Sequence, residues 1–477
     1  MSLPDAPEQW LARLLLERGL AATYLIAFVV ALNQFRRLLG ERGLQPVPRF
    51  VSRVPFRRAP SIFHFHYSDR FLALVAWTGI AFSTALLLGA SAVVPLWVSM
   101  LLWIVPWVLY QSIVNVGQTF YGFGWESLLL EAGFLAIFLG PQDMAPPAIV
   151  LWLFRWIVFR LEFGAGLIKL RGDPCWRDLT CLYYHHETQP MPNALSWYFH
   201  HLPKAFHRAE VAANHFAQLV VPFALFLPQP VASWGALVII VTQMWLVLSG
   251  SFSWLNAITI VLAFSAMDDS ILSEVIPLSP GAPLMLEPLW HQVAVLVVAG
   301  MVVGLSYWPV RNLVSRRQLM NFSFNPLHLV NTYGAFGSIT RTRFEVIIEA
   351  TEDDDPGPGS EWREYAFKGK PGDPARRPRQ VAPYHLRLDW LMWFIPLSPS
   401  YAQGWFGELC VKLLQADPAT LRLLAHAPFG TRRPIAVRAL LYRYRFTTRA
   451  ERKQSGHWWH REPVGTYLPP VTIDDVG

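Results

Sequence analysis

Long apolar runs separated by polar connections fill the first two thirds of the chain. A run of about 20 apolar residues is long enough to cross the hydrocarbon core of a bilayer as a helix. The two shorter runs, at 127–139 and 254–266, indicate tilted, re-entrant or broken helices. The pattern therefore predicts a polytopic α-helical membrane bundle with about seven to nine hydrophobic segments. The predicted segments are 20–39, 71–92, 94–116, 127–139, 148–170, 211–227, 232–248, 254–266 and 291–307.

The pattern changes near residue 320. The segments 344–350, 362–368 and 434–446 are rich in β-branched and aromatic residues and predict strands. The first two flank an acidic loop, 352–360, whose prolines and glycines are typical of turns. Short helices are predicted over 388–397, 401–414 and 418–427. A small α+β soluble domain is therefore expected after the membrane bundle.

These patterns divide the chain into four regions. An N-terminal interfacial segment (1–19), with apolar residues at helical spacing, precedes the transmembrane helical domain (20–310). The soluble α+β domain covers 320–450, and residues 451–477 are predicted to form an aromatic, proline-containing tail.

Arginines give a predicted orientation. Seven of them lie between positions 36 and 58, which under the positive-inside rule places that loop on the cytoplasmic side. Arg311, Arg316 and Arg317 favour the same side after the last segment, as nine full spans would require. One re-entrant segment would reverse the side of everything that follows it, so the sidedness of the soluble domain stays open.

Ionisable side chains occur inside the apolar segments, where burial is unfavourable unless they are paired. Arg155, Glu162 and Lys169 are spaced by seven residues, which places them along one stripe of a helix. Lys169 and Arg155 lie near the ends of their segment, and snorkelling to the interface is an equally good interpretation of each. Glu162 lies in the middle, so a buried partner is expected for it. Such a polar core is compatible with either a structural role or a small-molecule pocket.

A second polar stripe is formed by Gln111, Asn115 and Gln118, which are spaced by four and three residues. We predict that the two stripes face each other inside the bundle, with Glu126 or Glu131 as partners of the basic groups. The predicted polar core comprises Gln111, Asn115, Gln118, Glu126, Glu131, Arg155, Arg160, Glu162 and Lys169.

The loop that follows, CWRDLTCLYYHHETQPMPNALSWYFHHLP (175–203), is rich in histidine and aromatic residues. Its histidines match no HExxH or paired CxxC spacing, so no metal site is predicted. An interfacial loop that packs on the bundle is the expected structure, and Cys175 and Cys181 are close enough to bridge, although a reduced pair fits the sequence equally well. The loop residues that are candidates for partner contact are His185, His186, Glu187, Trp197, His200 and His201.

Composition supports a membrane protein and excludes other classes. Hydrophobic residues make up 53% of the chain and charged residues only 15%, against about a quarter in soluble proteins. The net charge of +7 is not gathered into a basic run with stacking aromatics, so lipid headgroups rather than nucleic acid are the expected partner. The chain has no GxSxG elbow, phosphate-binding glycine loop or dinucleotide fingerprint, and no cofactor is predicted.

Several long segments resemble the lipase maturation factor family. They are QTFYGFGWESLLLEAGFLA (118–136), LFRWIVFRLEFGAGLIKL (153–170), LTCLYYHHETQPMPNALSWYFHHLP (179–203), GSFSWLNAITIVLAF (250–264), NPLHLVNTYGAFGSITRTRFEVIIE (325–349) and EWREYAFKGKPGDPARRPRQVAPYHLRLDWLMWF (361–394). The resemblance implies a multi-pass membrane protein that assists the folding and assembly of secreted dimeric lipases, without catalysis of its own. It implies the endoplasmic reticulum membrane in eukaryotes, and the cytoplasmic membrane for a compact prokaryotic member.

The segments that carry the resemblance include aromatic and amide residues of the predicted soluble domain. Of these, Tyr333, Phe336, Trp390 and Trp393 are candidate apolar contacts for a client protein. The motif residues of this domain are Asn325, Asn331, Tyr333, Phe336, Trp362, Trp390 and Trp393.

A shorter segment, RLEFGAGLIKL (160–170), is similar to a membrane helix of vitamin K-dependent carboxylase-like proteins, in which a lysine is functional. This resemblance implies an alternative: a membrane enzyme that uses Lys169 as an intramembrane base, with Glu162 or His185. Such a base needs a pKa lowered by burial, which pairing with a carboxylate would oppose.

Overall fold

The computed structural model of the protein describes residues 4–357 and 359–476. Residues 1–3 of the predicted interfacial segment, Pro358 of the predicted acidic loop and Gly477 of the predicted tail lie outside the described residues. Within the described part, the apolar runs form helices as far as residue 314, and a mixed α+β region follows.

Twelve of the described helices have eight or more residues. They are α1 (Trp10–Leu39), α2 (Asp69–Leu88), α3 (Leu96–Asn115), α4 (Gly124–Ala136), α5 (Ala148–Arg171), α6 (Lys204–Leu219), α7 (Val231–Ser249), α8 (Leu255–Ala263), α9 (Leu289–Leu305), α10 (Tyr307–Val314), α11 (Arg387–Phe394) and α12 (Phe406–Leu414). Shorter α-helices are Val47–Val51, Gln118–Tyr121, Pro174–Arg177, Leu182–Thr188, Ser196–His200, Val221–Ala224, Asp269–Leu272, Pro418–Leu421 and Arg449–Ser455.

Five stretches of helix in the described chain are long and apolar enough to cross a membrane. Several of them expose large apolar side chains, as helices that face lipid do; Val297 and Val303 of α9 are examples. Helix α5 is longer than most of the five, but it contains too many charged residues to be counted as a candidate span. The five candidate spans are Pro7–Leu39, Asp69–Leu88, Leu96–Asn115, Val231–Ser249 and Leu289–Val314.

Two predicted boundaries differ from the structure. The expected interfacial segment is the first part of α1, because its polar residues find partners inside the bundle instead of at a membrane surface. Arg13 Nη1 donates to the Met144 carbonyl at 2.7 Å, and Glu17 accepts from Gln142 at 2.9 Å. The segment expected at 211–227 begins earlier, as α6, directly after the proline at position 203, and breaks at Val220.

The C-terminal region contains one antiparallel sheet in the order β2–β1–β3–β4. Strand β1 is Arg343–Thr351, β2 is Arg363–Glu364, β3 is Ala436–Phe446 and β4 is Trp459–Thr472. The strand expected over 362–368 is only two residues long, because the chain leaves the sheet to bring the Gly369 amide to Asp389 at 2.6 Å.

The expected C-terminal tail is instead a helix and the edge strand of this sheet. The helix Arg449–Ser455 begins with a capping box formed by Thr448 and Glu451 and ends at Gly456, whose φ is 73°. Strand β4 then pairs with β3, and Trp459 stacks on Phe446 with ring centroids 4.1 Å apart. The prolines of β4, which argue against a central strand, are compatible with an edge position.

Small residues of α5 let the C-terminal region approach this helix closely, so adding a methyl group there should destabilise the protein. An added Cβ on Gly164 would lie 2.5 Å from the Tyr333 carbonyl oxygen, whereas one on Gly300 of α9 would meet nothing within 4 Å. We expect Gly164→Ala to destabilise the protein by about 1–3 kcal/mol through overpacking. Gly300→Ala should be neutral or stabilise it by up to about 1 kcal/mol. The measurement is the thermal unfolding midpoint of both variants in the same detergent. Equal midpoints would contradict the packing on α5 of the segment 325–337, which contains Tyr333.

Candidate functional site

The two glutamates of α4 bind two different parts of the C-terminal half. Glu126 and Glu131 are five positions apart, so their side chains project about 140° apart around the helix. Both are buried, and each is the acceptor of several hydrogen bonds from residues distant in sequence. The bundle is therefore joined to the C-terminal region through α4.

Glu131 forms an ion pair with Arg160 of α5 and accepts further hydrogen bonds from the 325–337 segment. The Tyr333 hydroxyl donates to Glu131 at 2.7 Å, and the backbone and side-chain amides of Asn331 donate to it at 3.0 Å. Arg160 in turn donates to the Asn331 carbonyl at 2.6 Å. The segment predicted as part of the soluble domain is thus inserted between bundle helices, where its irregular backbone is buried in protein.

Glu126 binds Arg387 of α11, a residue that the sequence pattern did not single out. The two side chains are 2.8 Å apart and fully buried, and the Tyr110 hydroxyl also donates to Glu126. Arg387 donates to the Phe120 carbonyl at 2.7 Å and lies 3.3 Å from the Tyr121 ring centroid. The arginine is therefore held by charge, by a hydrogen bond and by a cation–π contact.

The Arg155–Glu162–Lys169 stripe faces α6, α7 and α8, and neither end residue reaches solvent. Glu162 accepts from Gln243 at 2.6 Å and from Gln218 at 3.1 Å. Lys169 donates to Gln218 at 2.8 Å, so one amide side chain connects the lysine to the glutamate without a direct ion pair. Arg155 donates instead to the Ser265 carbonyl at 3.0 Å and has no carboxylate partner among the described residues.

The expected contact between the two polar stripes is not observed. Asn115 donates to the Pro326 carbonyl at 3.1 Å, and Gln111 reaches the same carbonyl at 3.5 Å. Gln118 donates to the Gln45 carbonyl at 2.8 Å. These amides therefore fix loops against the end of α3, because loop carbonyls supply the acceptors nearest to them.

A cavity of about 430 Å³ lies beside the Arg155–Glu162–Lys169 stripe. Its polar lining includes Glu162, Lys169 and Gln218 from the stripe and its partners, and His186 and Glu210 at another side. The remaining lining is mostly apolar, as in cavities that hold small molecules. The hydrogen-bonded side chains of the stripe therefore also line a pocket.

The histidine-rich loop is mostly buried between the bundle and the C-terminal region. His185 stacks on Phe252 of the bundle and contacts Phe336, with ring centroids 6.1 and 5.0 Å apart. Burial and the nearby Lys169 lower the pKa of His185 to about 3, so it is neutral at physiological pH. Cys175 and Cys181 form a disulfide, with their Cα atoms 4.8 Å apart.

Glu187 and its neighbours fix this loop to the sheet. Glu187 accepts from the Phe446 amide at 2.6 Å and lies 3.7 Å from His200. Burial raises the pKa of Glu187 to about 6, although the Phe446 amide and nearby arginines oppose the shift. Burial lowers the pKa of His200 to about 4, with smaller contributions from His201 and His207.

The loop tryptophan continues the same interface. Trp197 donates to the Thr447 carbonyl at 2.8 Å and packs on His201, with ring centroids 4.2 Å apart. Trp393 of α11 donates to the Thr188 carbonyl at 2.9 Å. The loop residues expected to contact a partner are thus used in contacts within the chain.

The aromatic candidates of the soluble domain are also largely internal. Tyr333 and Trp390 have exposed fractions of 1% and 4%, and Trp390 packs on Trp125 of α4 with ring centroids 5.0 Å apart. Trp362 is partly buried beneath Arg438, whose guanidinium carbon lies 4.1 Å from the ring centroid. Asn325 donates to the Leu329 carbonyl at 2.6 Å and so shapes its own loop.

The Glu126–Arg387 pair generates a second prediction. Removing one partner of a buried pair leaves an uncompensated charge and typically costs about 3–5 kcal/mol. We expect Arg387→Met to lower the thermal midpoint strongly and to increase proteolysis of the C-terminal region. The matched control is Arg443→Met, which breaks the exposed pair with Glu462 and should have little effect. Similar unfolding midpoints for the two variants would contradict the assigned role.

Comparisons with known proteins agree with this architecture. The model of the lipase maturation factor transmembrane domain matches residues 11–274, and that of the lipase maturation factor C-terminal domain matches residues 329–469. Lipase maturation factor 1 of Homo sapiens is 43% identical over 98% of this chain and 89% of its own length. The Mus musculus protein of the same name is 41% identical over 98% of this chain and 88% of its length, and lipase maturation factor 2 of Gallus gallus is 29% identical over 96% and 81%. No solved structure matches. The chain is an integral, multi-pass membrane protein that belongs to the lipase maturation factor family.

Proposed function

We propose that this protein assists the maturation of secreted lipases, as the names of its relatives indicate for them. The observation that carries the proposal is the match of both family domains, at 11–274 and 329–469, together with 43% identity to a relative along nearly the whole chain. A membrane domain and a C-terminal domain of this family therefore occur in one chain.

The buried contacts support a role for the bundle as a rigid platform. Glu126 and Glu131 hold the C-terminal region through Arg387, Asn331 and Tyr333, so this region cannot move freely relative to the helices. Each of the two carboxylates accepts several hydrogen bonds. This arrangement suits a protein that presents a fixed surface to a client.

We assign client contact to the exposed outer edge of the sheet. Tyr333 and Trp390 are buried, whereas Val464 of β4 has an exposed fraction of 53%. Strand β4 pairs with β3 on one side only within the described sheet, which leaves backbone groups available to another chain. An exposed apolar side chain on an edge strand suits an incompletely folded client.

The C-terminal region should face the compartment in which secreted proteins fold. Gln34 near the end of α1 donates to the His385 carbonyl, and Trp393 donates to Thr188 in the disulfide-containing loop, so both connections lie on the same side as the C-terminal region. A disulfide persists in the endoplasmic reticulum lumen or the periplasm but rarely in the cytosol. A disulfide depends directly on the redox compartment, so we infer this orientation in place of the opposite one predicted from the basic loop between positions 36 and 58.

The proposed function predicts a loss of client activity without loss of client synthesis. A secreted dimeric lipase expressed in cells that lack their own lipase maturation factors should be inactive, and coexpression of this chain should restore its specific activity. The measurement is lipase activity per mass of lipase in the medium and in cell extracts. A secreted enzyme of another class is the control and should be unaffected. Unchanged specific lipase activity on coexpression, with this chain present in the membrane fraction, would contradict the proposal.

We infer that Lys169 is structural and that the chain is not an intramembrane-lysine enzyme. Lys169 is held by Asn214 and Gln218, each at 2.8 Å, and Glu162 is engaged by two glutamine side chains. Both groups thus have partners that stabilise them without a substrate. The relatives' names, moreover, describe maturation factors.

The test is Lys169→Met, compared with Arg171→Met two residues further along the same helix, where the side chain is exposed. We expect Lys169→Met to lower the thermal stability, because Asn214 and Gln218 lose a buried donor, and Arg171→Met to change it little. Client activation per folded molecule should be the same for both. A folded Lys169→Met protein that fails to activate the lipase would show that the lysine has a direct chemical role.

A further inference from the structure

Three side chains of metal-ligating type converge beside the cavity. His186 lies on the short helix Leu182–Thr188, and His207 and Glu210 lie one turn apart on the same face of α6. Glu210 Oε2 is 4.0 Å from His186 Nε2 and 3.6 Å from His207 Nδ1. One ligand atom from each residue lies within 4.8 Å of the other two. This cluster is separate from the Arg155–Glu162–Lys169 stripe.

The atoms that point at one another have no hydrogen-bond partner among the described residues. They are His186 Nε2, His207 Nδ1 and Glu210 Oε2. His186 is 1% exposed, so solvent cannot compensate for its unpaired nitrogens. Buried polar groups are normally satisfied, and three converging exceptions indicate a ligand between them.

The opposite sides of two of these groups are fixed. Trp245 of α7 donates to Glu210 Oε1 at 2.6 Å, which leaves Oε2 directed towards the histidines. His207 Nε2 lies 3.4 Å from the His200 carbonyl, which can only accept, so Nε2 donates there and Nδ1 is directed towards Glu210. A metal-binding histidine commonly donates its second nitrogen to a carbonyl in this way.

We propose that His186, His207 and Glu210 bind a zinc ion. Two imidazoles and one carboxylate form a ligand set suited to zinc, with the metal about 2.0–2.2 Å from each atom. Tetrahedral geometry places such ligand atoms about 3.3 Å apart. Shifts of about 0.3 Å for His207 and about 0.7 Å for His186 would bring their nitrogens to this distance from Glu210 Oε2, and the two histidines, which lie within 4.8 Å of each other, would also move together.

Three protein ligands would leave one coordination position of a zinc ion for another molecule. His186 and Glu210 both line the 430 Å³ space, so an oxygen or nitrogen of a molecule bound there can complete the coordination. The ion also joins the helix Leu182–Thr188 to α6, and so fixes the histidine-rich loop against the bundle. The site is therefore both a cross-link and a binding position within the cavity.

The experiment uses the full-length protein in detergent, stripped with a chelator and then dialysed against a low concentration of zinc sulfate. We expect about one zinc per chain by elemental mass spectrometry and a higher thermal midpoint with zinc, because the ion binds the folded state. His207→Ala and Glu210→Gln should each reduce the bound zinc to background. Trp245→Phe, which removes the hydrogen bond to Glu210 but keeps an aromatic ring beside Phe199 and Phe206, should weaken zinc binding about 10–100-fold.

The matched control is His215→Ala on the same helix, since His215 contacts the Trp176 carbonyl and lies outside the cluster. This variant should retain one zinc per chain. Cobalt substitution gives a second readout that does not depend on stability, because cobalt bound by these ligands should show visible absorption that Glu210→Gln removes. Zinc stoichiometry that is unchanged in His207→Ala and Glu210→Gln, or absent from the unaltered protein, would overturn the proposal.

Discussion

A carboxylate inside a helical membrane bundle needs a cation or several donors, because burial removes the water that would otherwise solvate its charge. Helix α4 carries two such groups, and the cation that pairs with each of them comes from beyond residue 150. Glu131 is satisfied by Arg160 together with Asn331 and Tyr333, and Glu126 by Arg387 and Tyr110. The membrane bundle and the C-terminal region therefore form one cooperative structure.

This constraint explains why residues with the composition of a binding surface are internal. The 325–337 segment and the histidine-rich loop contain many amides, histidines and aromatic rings, which suit either an exposed recognition surface or a polar interface between domains. Here they supply donors and flat apolar faces where helices meet a sheet. Phe336, for example, contacts both His185 of the loop and Phe252 of the bundle. These two segments therefore serve mainly as internal interfaces.

The sequence pattern predicted the class of fold, the positions of most helices and the strands β1 and β3, because hydrophobic periodicity is a local property. It also predicted that Glu162 is buried. It could not identify Gln218 and Gln243 as its partners, since those lie on helices 56 and 81 residues away and periodicity does not say which faces meet. Strand β4 was not predicted because its prolines are unfavourable in a strand, although the capping-box pattern of Thr448 and Glu451, just before it, indicates the start of a helix. His207 and Glu210 were not among the predicted site residues, because they lie on the helix that follows the histidine-rich loop.

The separation between the partners of α4 has a consequence for biosynthesis. Glu126 and Arg387 are 261 residues apart, so a ribosome completes the five candidate membrane helices before it makes the arginine. During that interval the nascent bundle holds an uncompensated carboxylate and is open to recognition by quality-control machinery. A chain that ends between residues 315 and 386 retains the five candidate membrane helices but never completes this pair. Loss of the C-terminal region should therefore remove the membrane domain from the cell as well, and no half-functional anchor would accumulate.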